Sequence, residues 1–223
     1  MNIYVVVEGS VEEKVYKRWI PYVNDQITYS GSNVSDLSNN NFAIISGHGY
    51  PYYKEVICDA IIDVNDGGNV DKLVIAIDSE EMTREEKYSE IQGFIQTECE
   101  PSRTPIFIVT QHFCIETWAL GNRSFGPVNP IGQKLREYKR IHCVFENDPE
   151  LLPSNPPKYR TRAQFAKEYL RAMINDKNRG LSYSERRPNV IYPKEYFDAI
   201  KLRYETAEHI VSFSSFYNAF TNI

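Results

Sequence analysis

The sequence predicts an α/β fold on a parallel sheet, from three features: four short β-branched and apolar runs, helical periodicity between them, and glycines or prolines that close the helical segments. Ile3-Tyr4-Val5-Val6-Val7 shows no polar alternation, which marks a strand covered on both faces. Ser10 and Glu13 stand at capping-box spacing, and Val11, Val15 and Trp19 recur every fourth residue until Pro21, which predicts a helix ending there. From about Asn24 to Asn41 the chain is rich in Asn, Ser and Asp without period and reads as a loop or insertion. Phe42-Ala43-Ile44-Ile45 is the second strand. Gly47-His48-Gly49 leads from it into a helix with Val56, Ile57, Ala60, Ile61 and Val64 on its buried stripe, stopped by Gly67-Gly68. Leu73 to Ile77 is the third strand, followed by a helix that Thr83 and Glu86 cap and that turns Ile91, Phe94 and Ile95 inward. Ile106 to Val109 is the fourth. Strands alternating with amphipathic helices imply right-handed βαβ crossovers.

After Val109 the pattern changes. A short helix from Ile115 to Leu120 closes at Gly121, so the α/β domain is expected over residues 1–122. Residues 123–160 read as a Pro-rich connection, with Pro127, Pro130, Pro149, Pro153, Pro156 and Pro157. Residues 161–223 read as a helical subdomain. One helix there is opened by Thr161 and Gln164 and buries Phe165, Tyr169, Leu170 and Met173; a second carries Tyr196, Phe197 and Ile200; a third, aromatic one carries Phe213, Phe216 and Phe220.

A net charge of −5 over 223 residues and a pI near 5.5 exclude the overall basic footprint of a protein that clamps nucleic acid unaided. Any such contact is local, metal-bridged or assisted by a partner. Cys58, Cys99, Cys114 and Cys143 are scattered without a C-x-x-C pair, which excludes a zinc ribbon and predicts reduced core cysteines in the cytoplasm. The early apolar run, about five residues, is too short for a signal peptide or a membrane span. His48, His112, His142 and His209 form no H-E-x-x-H and read as structural, with His112 close in sequence to Glu116.

Ligands of an open parallel sheet bind beyond the carboxyl ends of its strands. Here those positions are acidic: Glu8 follows the first strand, Asp78 the third, and Glu80 lies two residues further. Crowded carboxylates repel one another unless a cation neutralises them, and Mg²⁺ takes oxygen ligands of this kind. The competing reading is that these acids begin loops or cap helices. Gly9, lacking a Cβ, lets the chain turn sharply and a ligand approach. Gly47-His48-Gly49 offers backbone N–H groups to a phosphate but lacks the Lys and Ser/Thr of a P-loop, so a plain turn is favoured. Arg84, Lys87, Arg162 and Lys167 read as solvated helix charges, with Arg84 the candidate phosphate contact beside Gly9 and His48. The C-terminal aromatic set reads as a packing stripe before a base-stacking platform.

Val5-Val6-Val7-Glu8-Gly9-Ser10-Val11-Glu12 resembles the V-E-G-x-x-E signature of toprim domains, and Leu73-Val74-Ile75-Ala76-Ile77-Asp78-Ser79-Glu80 resembles their apolar-strand D-x-D motif. The motifs occur in the family's order, about seventy residues apart, with Glu80 where the family has Asp. Cys114-Ile115-Glu116-Thr117-Trp118-Ala119-Leu120 is similar to a segment of small toprim proteins encoded beside ATPases in phage-defence loci, related to the OLD nucleases. The resemblance implies a toprim, Rossmann-like domain with about four strands, helices on both faces and a helical C-terminal appendage. It also implies Mg²⁺ or Mn²⁺ at Asp78 and Glu80 and Glu8 as general base or ligand. Glu12 and Glu81 stand as secondary ligands, with Glu12 equally readable as part of a solvated face of the first helix, and Glu116, in an apolar and aromatic context, reads either as a further ligand or as a paired structural carboxylate. The activity implied is hydrolysis of a DNA or RNA phosphodiester by an antiviral-defence effector working with an ATPase partner. Two other readings stand beside it: a toprim-fold module whose helical C-terminus binds a protein partner, and a small-molecule phosphohydrolase.

Overall fold

Five strands form a single sheet in the computed structural model, which describes residues 1–126, 132–154, 158–178 and 180–221. The chain divides into two compact units, one of Met1–Ile77, Arg84–Thr110 and Ser215–Ile223, the other of Asp78–Thr83 and Gln111–Ser214. In sequence the strands are β1 (Ile3–Val7), β2 (Thr28–Gly31), β3 (Asn41–Ser46), β4 (Lys72–Asp78) and β5 (Ile106–Gln111); in space the order is β2-β3-β1-β4-β5.

The central place of β1 follows from its composition. All five of its residues are buried, and it pairs in parallel with β3 and β4, Val5 lying opposite Ile44 and Val74, Val7 opposite Ser46 and Ala76. A run without polar residues fits only where both faces and both edges are covered. Helices α1 (Ser10–Val23), α2 (Tyr53–Gly67) and α3 (Arg84–Glu98) follow β1, β3 and β4. The stripe of Ile57, Ala60, Ile61 and Val64 on α2 packs against Tyr4, Val6, Leu73, Ile75 and Ile77 of the sheet, and Gly68, at φ 63°, ends the helix. On α3 only Ile91 is deeply buried among the predicted residues, with Phe94 and Ile95 partly covered. The aromatic residues Phe216 and Phe220 pack edge-to-face on Tyr16, with ring centroids 4.8 and 6.2 Å away. The Lys72 ammonium donates to the Ala219 carbonyl at 2.9 Å.

Several expectations need correction in this unit. The sheet has five strands rather than four. The additional strand, β2, lies in the polar segment taken for a loop; it is a short edge strand that pairs with β3 alone, with an irregularity between Tyr29 and Gly31, so no apolar run announces it. Gly9 rather than Ser10 is the N-cap of α1, without a side-chain cap bond. Pro21 lies inside the last turn of α1, which runs on to Val23. So near the end of the helix, a fixed helical φ costs little beyond one lost backbone bond.

The cysteines give the largest correction. Cys58 of α2 and Cys99, just past α3, form a disulfide across a separation of 41 residues, while Cys114 and Cys143 are free. Two cysteines so far apart carry no local spacing signal; the packing of two helices brings them together. The cytoplasmic expectation loses the support it drew from reduced cysteines. Among the described residues no helix is long and apolar enough to cross a membrane. A loop of this size implies about 4 kcal/mol of stabilisation by the chain-entropy estimate. Cys58→Ser is therefore expected to lower the denaturant midpoint of the oxidised protein and to leave the protein unfolded in reductant almost unaffected. Equal midpoints for wild type and variant without reductant contradict this.

In the second unit, α4 (Ile115–Ala119) is followed by α5 (Gln133–Ile141), α6 (Arg162–Lys177), α7 (Lys194–Ala207) and the start of α8 (Phe213–Phe220). Thr161 caps α6 as expected, its hydroxyl accepting from the Gln164 N–H at 3.1 Å, and Phe165, Tyr169, Leu170 and Met173 are all buried. Helix α5 lies within the segment read as a Pro-rich connection, of which Pro127, Pro130, Pro156 and Pro157 lie outside the described residues. It buries only Leu135 and Tyr138, too thin a stripe to stand out amid four basic residues. Phe213 contacts Trp118, Phe197 and Tyr204, so this part of the aromatic set packs as a core stripe.

The second unit is pinned by two buried polar networks. The Arg203 side chain donates to the carbonyls of Leu120, Gly121 and Asn147 and to His209 Nδ1. The Ser212 hydroxyl accepts from the Trp118 indole at 2.6 Å and donates to Glu150, which also accepts the Ser212 N–H.

Candidate functional site

In the first unit the ladder between β1 and β4 continues one residue past β1, because the Glu8 N–H donates to the Ala76 carbonyl at 3.1 Å. Glu8 therefore stands at the carboxyl end of the central strand, half-buried. The Gly47-His48-Gly49 turn folds over the same end: Gly47 N–H donates to the Val7 carbonyl at 2.7 Å and Gly49 N–H to the Glu8 carbonyl at 2.8 Å. Glycine is required at position 47, where a Cβ would stand 2.5 Å from that of Tyr53. The His48 N–H is engaged too, by the Ser46 hydroxyl at 3.4 Å, so all three amides of the turn are spent within the protein. That is the arrangement of a plain turn rather than a phosphate cradle. His48 holds a left-handed backbone, φ 59°, with its side chain exposed.

Gly9 and Glu12 are linked by geometry. A Cβ on Gly9 would lie 3.0 Å from the Glu12 carboxylate, which folds back over the start of α1 and leaves Glu12 7% exposed. Glu12 is thus buried rather than part of a solvated helix face. Arg84 pairs with Glu85 at 3.5 Å and lines a cavity of about 470 Å³ with Tyr88, Ile108 and Thr110.

Asp78, half-buried, is the last residue of β4 and the first of the second unit. Beyond it the chain is held to the segment after β5. Ser79 is fully buried; its N–H donates to the Gln111 carbonyl at 2.8 Å, and its hydroxyl accepts from the Phe113 N–H and bonds His112 Nδ1, each at 3.0 Å. Glu80 N–H then donates to the Phe113 carbonyl at 3.1 Å. With Ser79 anchored inward, Asp78 and Glu80 flank it in the D-x-E pattern, and Glu80 is exposed at φ 52°. A glutamate in the left-handed region costs about 1 to 3 kcal/mol, strain of the kind held at binding sites. His112 is a structural partner of Ser79, in agreement with its expected class.

Glu81 is engaged by a cation of the protein itself. The Arg162 backbone N–H donates to one carboxylate oxygen at 2.6 Å, and its guanidinium donates to the other at 3.0 Å and to the Glu81 carbonyl at 2.9 Å, lying 4.2 Å from the centre of the Phe113 ring. This clamp fixes the turn that presents Glu80. Arg162 is thus not the solvated charge expected, and neither are Lys87, which pairs with Glu90 at 2.9 Å, and Lys167.

Glu116 is 1% exposed. Its Oε1 accepts from the Tyr183 hydroxyl at 2.6 Å, and its Oε2 is buried with no hydrogen-bond partner among the described residues. Burial, then the negative charges of Glu116 and Asp78, push the neighbouring Cys114 thiol far up, so it stays protonated. Lys167 of α6 answers those charges. Burial pulls its pKa down, but the carboxylates of Glu116 and Glu185 more than reverse this, and the ammonium is held charged with Glu185 at 2.7 Å. Lys167 reads from sequence as a solvated helix charge, yet an opposing signal is present: Ala163, Leu170 and Ile174, four before and three and seven after it, put it on an apolar helix face. Tyr183 lies in an irregular segment and carried no signal.

These donors are carboxylates, the set a hard divalent cation takes, and Glu116 Oε2 has an open acceptor position among the described residues. Among the described residues no three His, Cys, Asp or Glu side chains surround one point as a ready-made cage. Mg²⁺ sites commonly use one or two protein carboxylates, with waters and substrate phosphate completing the shell. Comparison of the chain with protein-family models, with curated proteins and with solved structures found no match in any of the three.

Proposed function

We propose that this α/β protein is a metal-dependent nuclease of toprim type, in which Asp78 and Glu80 hold Mg²⁺ or Mn²⁺ against a DNA or RNA phosphodiester and Glu8 serves as general base. The observation that carries the reading is the end of the β1–β4 ladder. Glu8 closes β1 on Ala76 while Asp78 closes β4, so two acids terminate adjacent parallel strands where open α/β sheets bind ligands. The buried, half-satisfied Glu116 supports a role as an additional ligand. Glu12, buried at the start of α1, remains a secondary candidate, whereas Glu81 serves as an anchor through Arg162.

A bound metal supplies polarisation of the scissile phosphoryl group. Glu8 orients and deprotonates the attacking water, and the Arg162–Glu81 clamp keeps Glu80 in its left-handed presentation. Work with an ATPase partner in antiphage defence follows from the toprim resemblance. The test is a panel of single- and double-stranded DNA and RNA incubated with Mg²⁺, Mn²⁺ or EDTA, with and without the product of an adjacent ATPase reading frame. Metal-dependent cleavage of a polymer is expected. Hydrolysis of free nucleotides with every polymer intact overturns the nuclease reading in favour of a small-molecule phosphohydrolase.

A further inference from the structure

We propose that the second unit contains a nucleotide pocket that takes an unpaired base of a single-stranded nucleic acid, with Tyr138 and Tyr159 as its aromatic wall and Lys134 and Lys158 as its phosphate contacts. The choice of ligand rests on the nuclease reading, but the site uses none of the proposed metal-binding carboxylates. It is a cavity of about 250 Å³ lined by Lys134, Glu137, Tyr138, Ile141, Lys158 and Tyr159. That is below the ~300 to 1,000 Å³ usual for drug-sized ligands, and suits one planar group.

The aromatic wall is already set. Tyr159 stacks on Phe165 at a centroid distance of 5.5 Å and an angle of 28°, and its hydroxyl bonds that of Tyr138. Tyr138 is held in turn against Phe165 at 5.2 Å and Tyr169 at 5.4 Å. Rings fixed in this way lose little rotamer freedom when a base arrives.

The rim is cationic. Lys134 shares the Glu168 carboxylate with Arg171, two cations on one acid. Lys158 has a side chain 81% exposed and reaches Glu137 only at 3.9 Å, a contact weak enough in water to yield to a phosphate. Lys134, Glu137, Tyr138 and Ile141, spaced i, i+3, i+4 and i+7, form the one face of α5 that lines the cavity, so Lys134 and Lys158 are its cations. Glu137, at the pocket edge, is placed to accept from a base amino or imino group. Cations beside an aromatic face bind single strands with little sequence preference. The acidic chain as a whole conceals this local patch.

The test is fluorescence anisotropy with a labelled single-stranded oligonucleotide in EDTA at low salt, which makes binding independent of whether the carboxylates hold a metal. Wild type is expected to bind the single strand more tightly than the matching duplex. Lys158→Glu, a change at an exposed side chain, should weaken binding at least about fivefold, and Lys158→Ala should lower the salt slope by about 0.7, the value for one single-strand phosphate contact. Tyr159→Leu should weaken single-strand binding about tenfold and duplex binding little. No binding, binding unchanged by Lys158→Glu, or equal affinity for strand and duplex overturns the proposal. So does uridine monophosphate displacing the bound label at concentrations well below those at which unlabelled oligonucleotide displaces it, which assigns the pocket to free nucleotides.

Discussion

Asp78→Asn is expected to lower metal-dependent phosphodiester hydrolysis at least about 100-fold, since loss even of an outer-shell partner of a metal ligand costs about 10- to 100-fold. The substitution keeps the shape of the side chain and removes its charge. Asp78 and Glu116 both raise the buried Cys114 thiol, so they stand as like charges close to one group. Neutralising one relieves repulsion in the folded protein, and stability is expected to stay level or rise. A fall in rate without a fall in melting temperature, measured by gel-based cleavage and circular dichroism, separates a chemical role from a structural one. Full activity in Asp78→Asn removes this residue from the mechanism. Glu80→Gln is expected to cost less, because an exposed carboxylate is more readily replaced by water.

Arg203→Met is expected to destabilise the protein by about 3 to 5 kcal/mol, because it leaves the carbonyls of Leu120, Gly121 and Asn147 without their donor in a site where Arg203 is 3% exposed. Burial, followed by the neighbouring charge of Arg123, lowers the Arg203 pKa to about 10, which still leaves it charged at neutral pH. The same residue acts on His209. Burial and Arg203 push the imidazole below its ordinary value of 6.5, and it accepts at Nδ1 as the neutral ring. A base with a depressed folded pKa contributes stability that is complete above the unfolded value and lost as pH falls through and below it. Denaturant midpoints should therefore drop below about pH 6.5, and this acid sensitivity should be smaller in Arg203→Met. A midpoint for Arg203→Met equal to that of wild type at pH 7.5 refutes the anchoring role.

The strands and helices that could be read from sequence are those with a single dominant period. Ile3 to Val7 lacks polar residues because it is covered on both sides, and the α2 stripe repeats because one face meets the sheet. What escaped had no such pattern. Strand β2 is a half-covered edge, α5 buries two residues, and the Cys58–Cys99 bond joins positions that only tertiary packing makes neighbours. For the candidate site, the strand-end acids Glu8, Asp78 and Glu80 were legible because position after a buried strand is itself a signal. The support around them was not: Ser79 as anchor, Arg162 clamping Glu81, and Lys167 and Tyr183 about Glu116 depend on which helix face meets which loop.

The proposal tested is that the acids ending two adjacent strands serve one divalent cation, Asp78 as a ligand and Glu8 through the attacking water. Calorimetric titration of the wild-type protein with Mn²⁺ tests it most directly, alongside Asp78→Asn and Glu8→Gln. Saturable uptake that is abolished in the first variant and weakened in the second is the predicted result. No uptake by the wild type, or uptake that survives unchanged in both variants, contradicts it.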